Sequence, residues 1–182
     1  SCNFLYSDSV IKILHSCKED LEAIYSWTGY KMVNLFDTQL ANAFLGGDFS
    51  IGYQGLVDEK LDIKLDKRET RSNWTRRPLS DSQLSYAVSD VEYLIHLYLE
   101  QERLLTATKK MVWFKEDVEF LISRTFFDGI LSEEAACPIT KSEEKELLNQ
   151  FNEIVLNISQ KIQVNSTLFF SKRFQKEFVR LA

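Results

Sequence analysis

The sequence predicts an α/β fold whose later part is entirely helical. Two short β-branched segments alternate with helical patterns early in the chain, and further along only helical periodicity is found. Hydrophobic residues make up 45% of the 182 residues, which is enough to form a buried core. From the change between alternating strands and helices and helices alone, we predict an α/β part over residues 1–105, a helical linker over 106–140 and a small all-α part over 141–182.

Two strands are expected near the start. The segment from Val10 to Leu14 is β-branched and partly alternating, and Val33 to Phe36 is predicted as a second short strand. Between them, Ser16-Cys17-Lys18-Glu19 has the form of a capping box, and Gly29 ends the helix that it opens. Two further short helices are predicted around residues 40–44 and 52–61.

A long helix is expected to begin at the capping box Ser80-Asp81-Ser82-Gln83 and to end near Leu105. Its apolar residues recur mostly at three- and four-residue steps, which is typical of one buried helix face. They are Leu84, Ala87, Val91, Leu94, Ile95 and Tyr98. Later helices are predicted over 112–122 and 142–162, followed by a short helical end that Asn165 caps.

The net charge of −5 argues against a protein that coats nucleic acid by bulk charge. The charge is uneven, since residues 60–77 hold seven basic residues and three acids. Such a patch can follow a phosphate backbone, or it can simply be a solvated surface. Three widely spaced cysteines form neither a metal-binding spacing nor a disulfide framework, so a reducing, cytoplasmic location is expected. No apolar stretch is long enough to predict a membrane span.

Asp20 is the first candidate for chemistry, because it opens a helix directly after a predicted strand. Functional groups of open α/β sheets gather at the carboxyl ends of strands. An acid in the first turn of a helix is also favoured by the helix dipole, so a purely structural role for Asp20 stays open.

Tyr86 and Asp90 lie one turn apart in the long helix, so their side chains share a face. Aspartate is a poor residue in the middle of a helix, and a metal ion would explain its presence, because Mg²⁺ prefers carboxylate ligands. The neighbouring phenol can hold a water molecule by hydrogen bonding. The alternative is an exposed aspartate beside a core tyrosine.

Four segments, in this order, resemble RNase D-like enzymes of the DEDD family of 3′→5′ exonucleases, in the subgroup with a tyrosine in its third motif. Those segments are Ile11 to Leu21, Asn34 to Ala41, Trp74 to Ser80 with its W-x-x-R-P-L turn, and Tyr86 to Leu94 with its Y-x-x-x-D motif. Residues from Val155 to about Phe178 also resemble the end of the helical HRDC domain of RNase D.

The resemblance implies a ribonuclease H-like exonuclease domain followed by a small HRDC-like helical segment. It implies that Asp20 and Asp90 help to hold two divalent metal ions, Mg²⁺ or Mn²⁺, and that Tyr86 orients the attacking water. Arg76, Arg77 and His15 are then candidates for phosphate binding, although the two arginines can equally stabilise their turn. The implied substrate is RNA with a free 3′ end, such as tRNA precursors.

The family's first motif, D-x-E on an opening strand, is not found before Asp20. Asp37-Thr38-Gln39 echoes it, but it follows Asp20 and carries Gln in place of Glu, so we interpret Asp37 as a structural residue that buttresses the site. We therefore expect that the opening strands lie outside this chain and that the chain alone has little nuclease activity. The alternatives are a catalytically dead nuclease-like module that binds RNA or protein, and a DNA-proofreading exonuclease.

Overall fold

The computed structural model describes residues 3–65, 69, 71–125 and 141–169. Over these residues a two-stranded parallel sheet is surrounded by α-helices, which agrees with the predicted α/β part and helical remainder. A short 3₁₀ turn at Asn3–Tyr6 precedes the first strand. The elements are β1 Lys12–Leu14, α1 Lys18–Thr28, β2 Leu35–Asp37, α2 Thr38–Phe44, α3 Tyr53–Leu61, α4 Asp81–Glu92, α5 Leu94–Ala107, α6 Met111–Thr125, α7 Lys141–Ile162 and α8 Ser166–Phe169.

The sheet brings two strand ends together. β1 and β2 pair in parallel, with Lys12 opposite Leu35 and Leu14 opposite Asp37. A parallel pair needs a crossover connection, which α1 supplies. Both strands therefore end at the same edge, and the helices that follow them, α1 and α2, start side by side.

Helix α6 belongs to the main hydrophobic core. Phe114 and Val118 are buried in the same cluster as Leu21 and Phe36, and the rings of Phe36 and Phe114 are 4.7 Å apart. The sequence predicts a helical linker over 106–140; a helix does form there, and α6 packs apolar residues against the sheet. The second half of that predicted linker, residues 126–140, lies outside the described residues.

The short segment that follows α7 also packs against the α/β part. Val164 is buried in the main core, and the N–H of Asn165 donates to the Ala43 carbonyl at 3.0 Å. The buried ammonium group of Lys110 joins the two parts, because it donates to the carbonyls of Phe44 at 3.0 Å and Gln163 at 2.5 Å. The predicted HRDC-like segment extends to 178, and its residues after 169 lie outside the described part.

A second, smaller core holds α3 against α5. Its buried members are Leu56, Val57 and Leu97, and Tyr53 and Tyr93 pack around them. This cluster fixes the start of α3 beside the junction between α4 and α5.

The two predicted capping boxes have different outcomes. At Ser80 both reciprocal bonds with Gln83 form, so this box is confirmed. The box predicted at Ser16 is wrong, because Ser16 has a φ of 57° and its N–H donates to the Asp37 carboxylate. Helix α1 starts only at Lys18, without a side-chain cap, and it ends at Gly29 in the left-handed conformation as predicted.

The predicted long helix is interrupted at Tyr93, whose N–H donates to the Tyr53 hydroxyl at 3.1 Å. The face that α4 and α5 bury also differs from the predicted one. Over the described residues Leu84, Val91 and Ile95 are 50%, 58% and 60% exposed. The buried residues of α5 are Leu97, Gln101 and Leu105, and the amide of Gln101 donates to the Thr38 carbonyl at 2.9 Å. No helix in the described ranges is long and apolar enough to cross a membrane.

Candidate functional site

Asp37 builds the scaffold of the site at the edge where both strands end. One of its carboxylate oxygens accepts from the backbone N–H groups of Ser16, Gln39 and Leu40 at 3.1, 2.8 and 3.1 Å, and the other accepts from Cys17 at 2.9 Å. The side chain is buried. These bonds join the turn before α1 to the start of α2, so the interpretation of Asp37 as a structural residue is confirmed.

A cleft of about 670 Å³ opens beside this scaffold, between α1, α3 and α4. Asp20 reaches it from the first turn of α1, and Tyr86 and Asp90 reach it from α4. The cleft is lined by Leu14, His15, Asp20, Gly52, Tyr53, Gln54, Gly55, Tyr86, Asp90, Val91 and Leu94. The structure thus brings together three candidate residues from two distant segments of the chain, and their catalytic roles remain predictions.

Tyr86 lies at the centre of a short hydrogen-bonded chain. Its hydroxyl donates to the carboxylate of Asp90, one turn further along α4. The Gln54 side-chain amide donates to the same hydroxyl oxygen at 3.3 Å. The indole of Trp74, from the W-x-x-R-P-L turn, packs on the Tyr86 ring with a centroid distance of 5.8 Å. That turn therefore supports the site through Tyr86.

Burial raises the pKa of both cleft carboxyl groups. For Asp90 the hydrogen bond from Tyr86 opposes this rise in pKa. For Asp20 the negative charges of Glu19 and Asp37 raise the pKa further. A nearby cation would favour the ionised form of both groups and would reverse these shifts. The environment of the two aspartates therefore suits an ion that carries positive charge into the cleft.

Two carboxylates are suitable ligands for Mg²⁺ or Mn²⁺, which prefer oxygen donors. They are only part of a ligand set, because among the described residues no three His, Cys, Asp or Glu side chains lie close enough to hold a metal ion. The residue types therefore fit the expected ions, and a complete two-metal site needs ligands beyond Asp20 and Asp90.

His15 lines the cleft, but both of its ring nitrogens contact the protein. Nε2 donates to the Ile51 carbonyl at 3.0 Å, and Nδ1 lies 2.9 Å from the Thr38 hydroxyl. Burial lowers the pKa of His15, and the charge of Asp37 partly opposes this. The ring ties β1 to α2 and to the segment before α3, and phosphate binding by His15 remains a prediction.

Arg76 and Arg77 line a separate depression of about 480 Å³ and not the cleft. The guanidinium group of Arg77 donates to the carbonyls of Trp74 at 2.8 Å and Arg76 at 2.9 Å. Arg77 therefore stabilises its own turn. This is the alternative to phosphate binding that the sequence analysis gives for the two arginines. Contact of either arginine with phosphate remains a prediction, and residues 66–68 and 70 of the basic segment lie outside the described part.

Tyr53 and Gln54 are site residues that the sequence pattern does not indicate. They open α3, and their contacts reach Tyr93 and Tyr86 on the far side of the basic segment. No local spacing connects them to these partners, because the contacts span 40 and 32 residues.

Comparison with known proteins agrees with this geometry. Residues 3–106 match the family model described as 3′-5′ exonuclease. Ribonuclease D of Pseudomonas paraeruginosa is 48% identical over 114 residues, which cover 63% of this chain and 30% of that relative. The chain thus spans about a third of the length of this curated relative.

Two solved proteins share the fold. Escherichia coli RNase D superposes with a TM-score of 0.66 at 23% identity, over 99% of this chain and 49% of that one. Brucella melitensis NrnC with bound Mg²⁺ superposes with a TM-score of 0.64 at 26% identity, over 77% of this chain and 68% of that one. The ribonuclease H-like exonuclease fold predicted from the sequence is confirmed. The chain belongs to the 3′–5′ exonuclease family, and its matched residues are similar to Ribonuclease D.

Proposed function

We propose that this chain is part of a metal-dependent 3′→5′ exoribonuclease of the RNase D type. The observation that carries the proposal is the common cleft of Asp20, Tyr86 and Asp90 on a 3′–5′ exonuclease fold. In this proposal Asp20 and Asp90 hold part of a divalent-metal site, with Mg²⁺ or Mn²⁺ as the ions.

When bound, such ions activate a water molecule and stabilise the leaving oxygen of the phosphodiester. The chain's own residues then act on the water and on the ligand geometry. The Tyr86 hydroxyl donates to Asp90, so a water molecule bound beside that carboxylate would be within reach of the phenol oxygen. Asp37 holds the start of α1, and through it the position of Asp20.

The proposed substrate is RNA with a free 3′ end, and we include tRNA precursors as its specific form. Three similarities support RNA. The curated relative is a Ribonuclease D, E. coli RNase D is described as an exoribonuclease involved in structured RNA processing, and NrnC has been solved bound to pGG. The cytoplasmic location predicted from cysteine usage belongs to the same proposal.

We further propose that the 182 residues alone release nucleotides slowly, because among the described residues no three His, Cys, Asp or Glu side chains lie close enough to hold a metal ion. The test compares this chain with a fusion in which a segment carrying the family's D-x-E motif precedes Ser1. Both are incubated with 5′-labelled RNA and Mg²⁺, and nucleotide release is followed over time. An RNA blocked by a 3′-phosphate controls for the direction of attack.

We expect release by the fusion and little release by the chain alone. Robust turnover by the chain alone would contradict the proposed dependence on further ligands. An inactive, folded fusion that still binds the RNA would favour the second candidate, a catalytically dead RNA-binding module, which the incomplete ligand set among the described residues also fits. Faster release from single-stranded DNA than from RNA would instead favour a proofreading-type exonuclease.

A further inference from the structure

The first turn of α3 contacts the candidate site through two consecutive side chains. The Tyr53 hydroxyl accepts from the N–H of Tyr93 at 3.1 Å, at the break between α4 and α5. The Gln54 amide donates to the Tyr86 hydroxyl at 3.3 Å. Both residues line the cleft of Asp20 and Asp90, so this turn forms one wall of the site.

The backbone that presents Gln54 is held firmly. Leu56 and Val57, in the next turn of α3, are fully buried against Leu97 of α5. Gly52 is the N-cap of the helix, and its carbonyl accepts from the Leu56 N–H at 2.9 Å. Closely packed helices move little relative to each other, so the Gln54 side chain projects toward Tyr86 from a fixed position.

The hydrogen bonds of Tyr86 explain how Gln54 can set the orientation of the Tyr86 hydroxyl. A phenol has one hydrogen to donate and lone pairs that accept. The hydrogen of Tyr86 is directed at Asp90, while the Gln54 N–H approaches the oxygen. The Trp74 indole packs on the ring and limits its movement. The amide donor therefore favours the hydroxyl orientation in which the hydrogen points to the carboxylate.

We propose that Gln54 is a positioning residue, which holds the Tyr86 hydroxyl in the orientation that donates to Asp90. The inference rests on the proposed exonuclease site for its catalytic meaning. Its structural content, the link between Gln54 and the Tyr86 hydroxyl, is testable in the 182-residue chain without any activity.

The structural test uses the chain labelled with ¹³C at the ζ carbon of tyrosine, and NMR spectra at one fixed pH. Tyr86→Phe removes and thereby assigns the Tyr86 signal. Gln54→Leu, which cannot donate, displaces that signal, and Gln54→Glu displaces it as well because an ionised carboxylate has no hydrogen. Gln160→Leu, at an exposed glutamine of α7, leaves it in place. An unchanged Tyr86 signal in a folded Gln54→Leu chain would overturn the proposal.

The functional test uses the active fusion. We expect Gln54→Leu to lower kcat roughly fivefold, the value of one neutral hydrogen bond, with KM unchanged. In a Tyr86→Phe background the same change has no further effect, because Gln54 acts through the hydroxyl that is gone. Additive losses in the double variant would reject positioning. If the fusion is inactive, the proposed function fails, and the NMR result still decides whether Gln54 orients Tyr86.

Discussion

The turn held by Asp37 and the cleft of Asp20 and Asp90 place carboxylates near the same sheet edge in opposite environments. Asp37 is 3% exposed and accepts four backbone hydrogen bonds. Burial instead raises the pKa of Asp20 and of Asp90. A carboxylate surrounded by backbone donors stabilises the fold, whereas carboxylates that burial disfavours in their ionised form are suited to bind a cation. We therefore predict that Asp37 stabilises the fold and that Asp20 and Asp90 serve the chemistry of the cleft.

The largest expected effect is the loss of the Asp37 carboxylate. Asp37→Ala leaves four backbone N–H groups without their acceptor, and we expect the free energy of unfolding to fall by roughly 3 kcal/mol or more. Urea unfolding of the chain measures it. Asp48→Ala is the matched control, because the carboxylate of exposed Asp48 accepts from Ser50 within its own turn. Equal losses in the two variants would contradict the structural role of Asp37.

For Asp90 in the cleft we expect the opposite of Asp37: a large loss of activity and little loss of stability. Asp90→Asn keeps the size of the side chain and an oxygen that accepts from Tyr86, but it removes the charge that a metal ion needs. We expect nucleotide release by the active fusion to fall on the order of 100-fold or more. Urea unfolding of the same variant should show no large loss of stability. Unchanged turnover would remove Asp90 from the site.

A smaller effect on turnover is expected from Tyr86→Phe, since water positioning contributes less than a metal ligand. Removing the hydroxyl should slow nucleotide release roughly tenfold, the value of a hydrogen bond to a charged group. Tyr98→Phe is the control, because Tyr98 lies on α5 outside the cleft lining. A loss as large as that of Asp90→Asn would show that Tyr86 does more than orient water.

Local patterns predicted the helical part of the site. The Ser80–Gln83 capping box and the four-residue step from Tyr86 to Asp90 both lie within one helix, so their geometry follows from helical spacing alone. The position of Asp20 also followed from its place after a strand. The family motifs then connected these separate signals in one order.

Contacts between distant segments could not be predicted in this way. The sequence around Ser16 has the form of a helix cap. In the structure the Ser16 N–H donates to the Asp37 carboxylate, 21 residues later, and Ser16 adopts a left-handed conformation instead. The link from Gln54 to Tyr86 has the same origin. Helical periodicity also located an apolar face on α4 and α5, but the neighbouring elements decide which face is buried, and over the described residues it is that of Leu97 and Leu105.

The smallest expected effect is a pH dependence of the free energy of unfolding that comes from Asp90. Because the pKa of Asp90 is raised, the folded chain binds this proton more tightly than the unfolded chain. The resulting stabilisation is fully present below the ordinary aspartate pKa and is lost as the pH rises through the raised value.

The amide that replaces the carboxyl group in Asp90→Asn cannot ionise, so the free energy of unfolding of this variant should improve relative to the parent chain between acid and neutral pH. Urea unfolding at several pH values measures this, with exposed Asp58→Asn correcting for one lost charge. A difference that stays constant across that range would show that burial does not disfavour the Asp90 carboxylate.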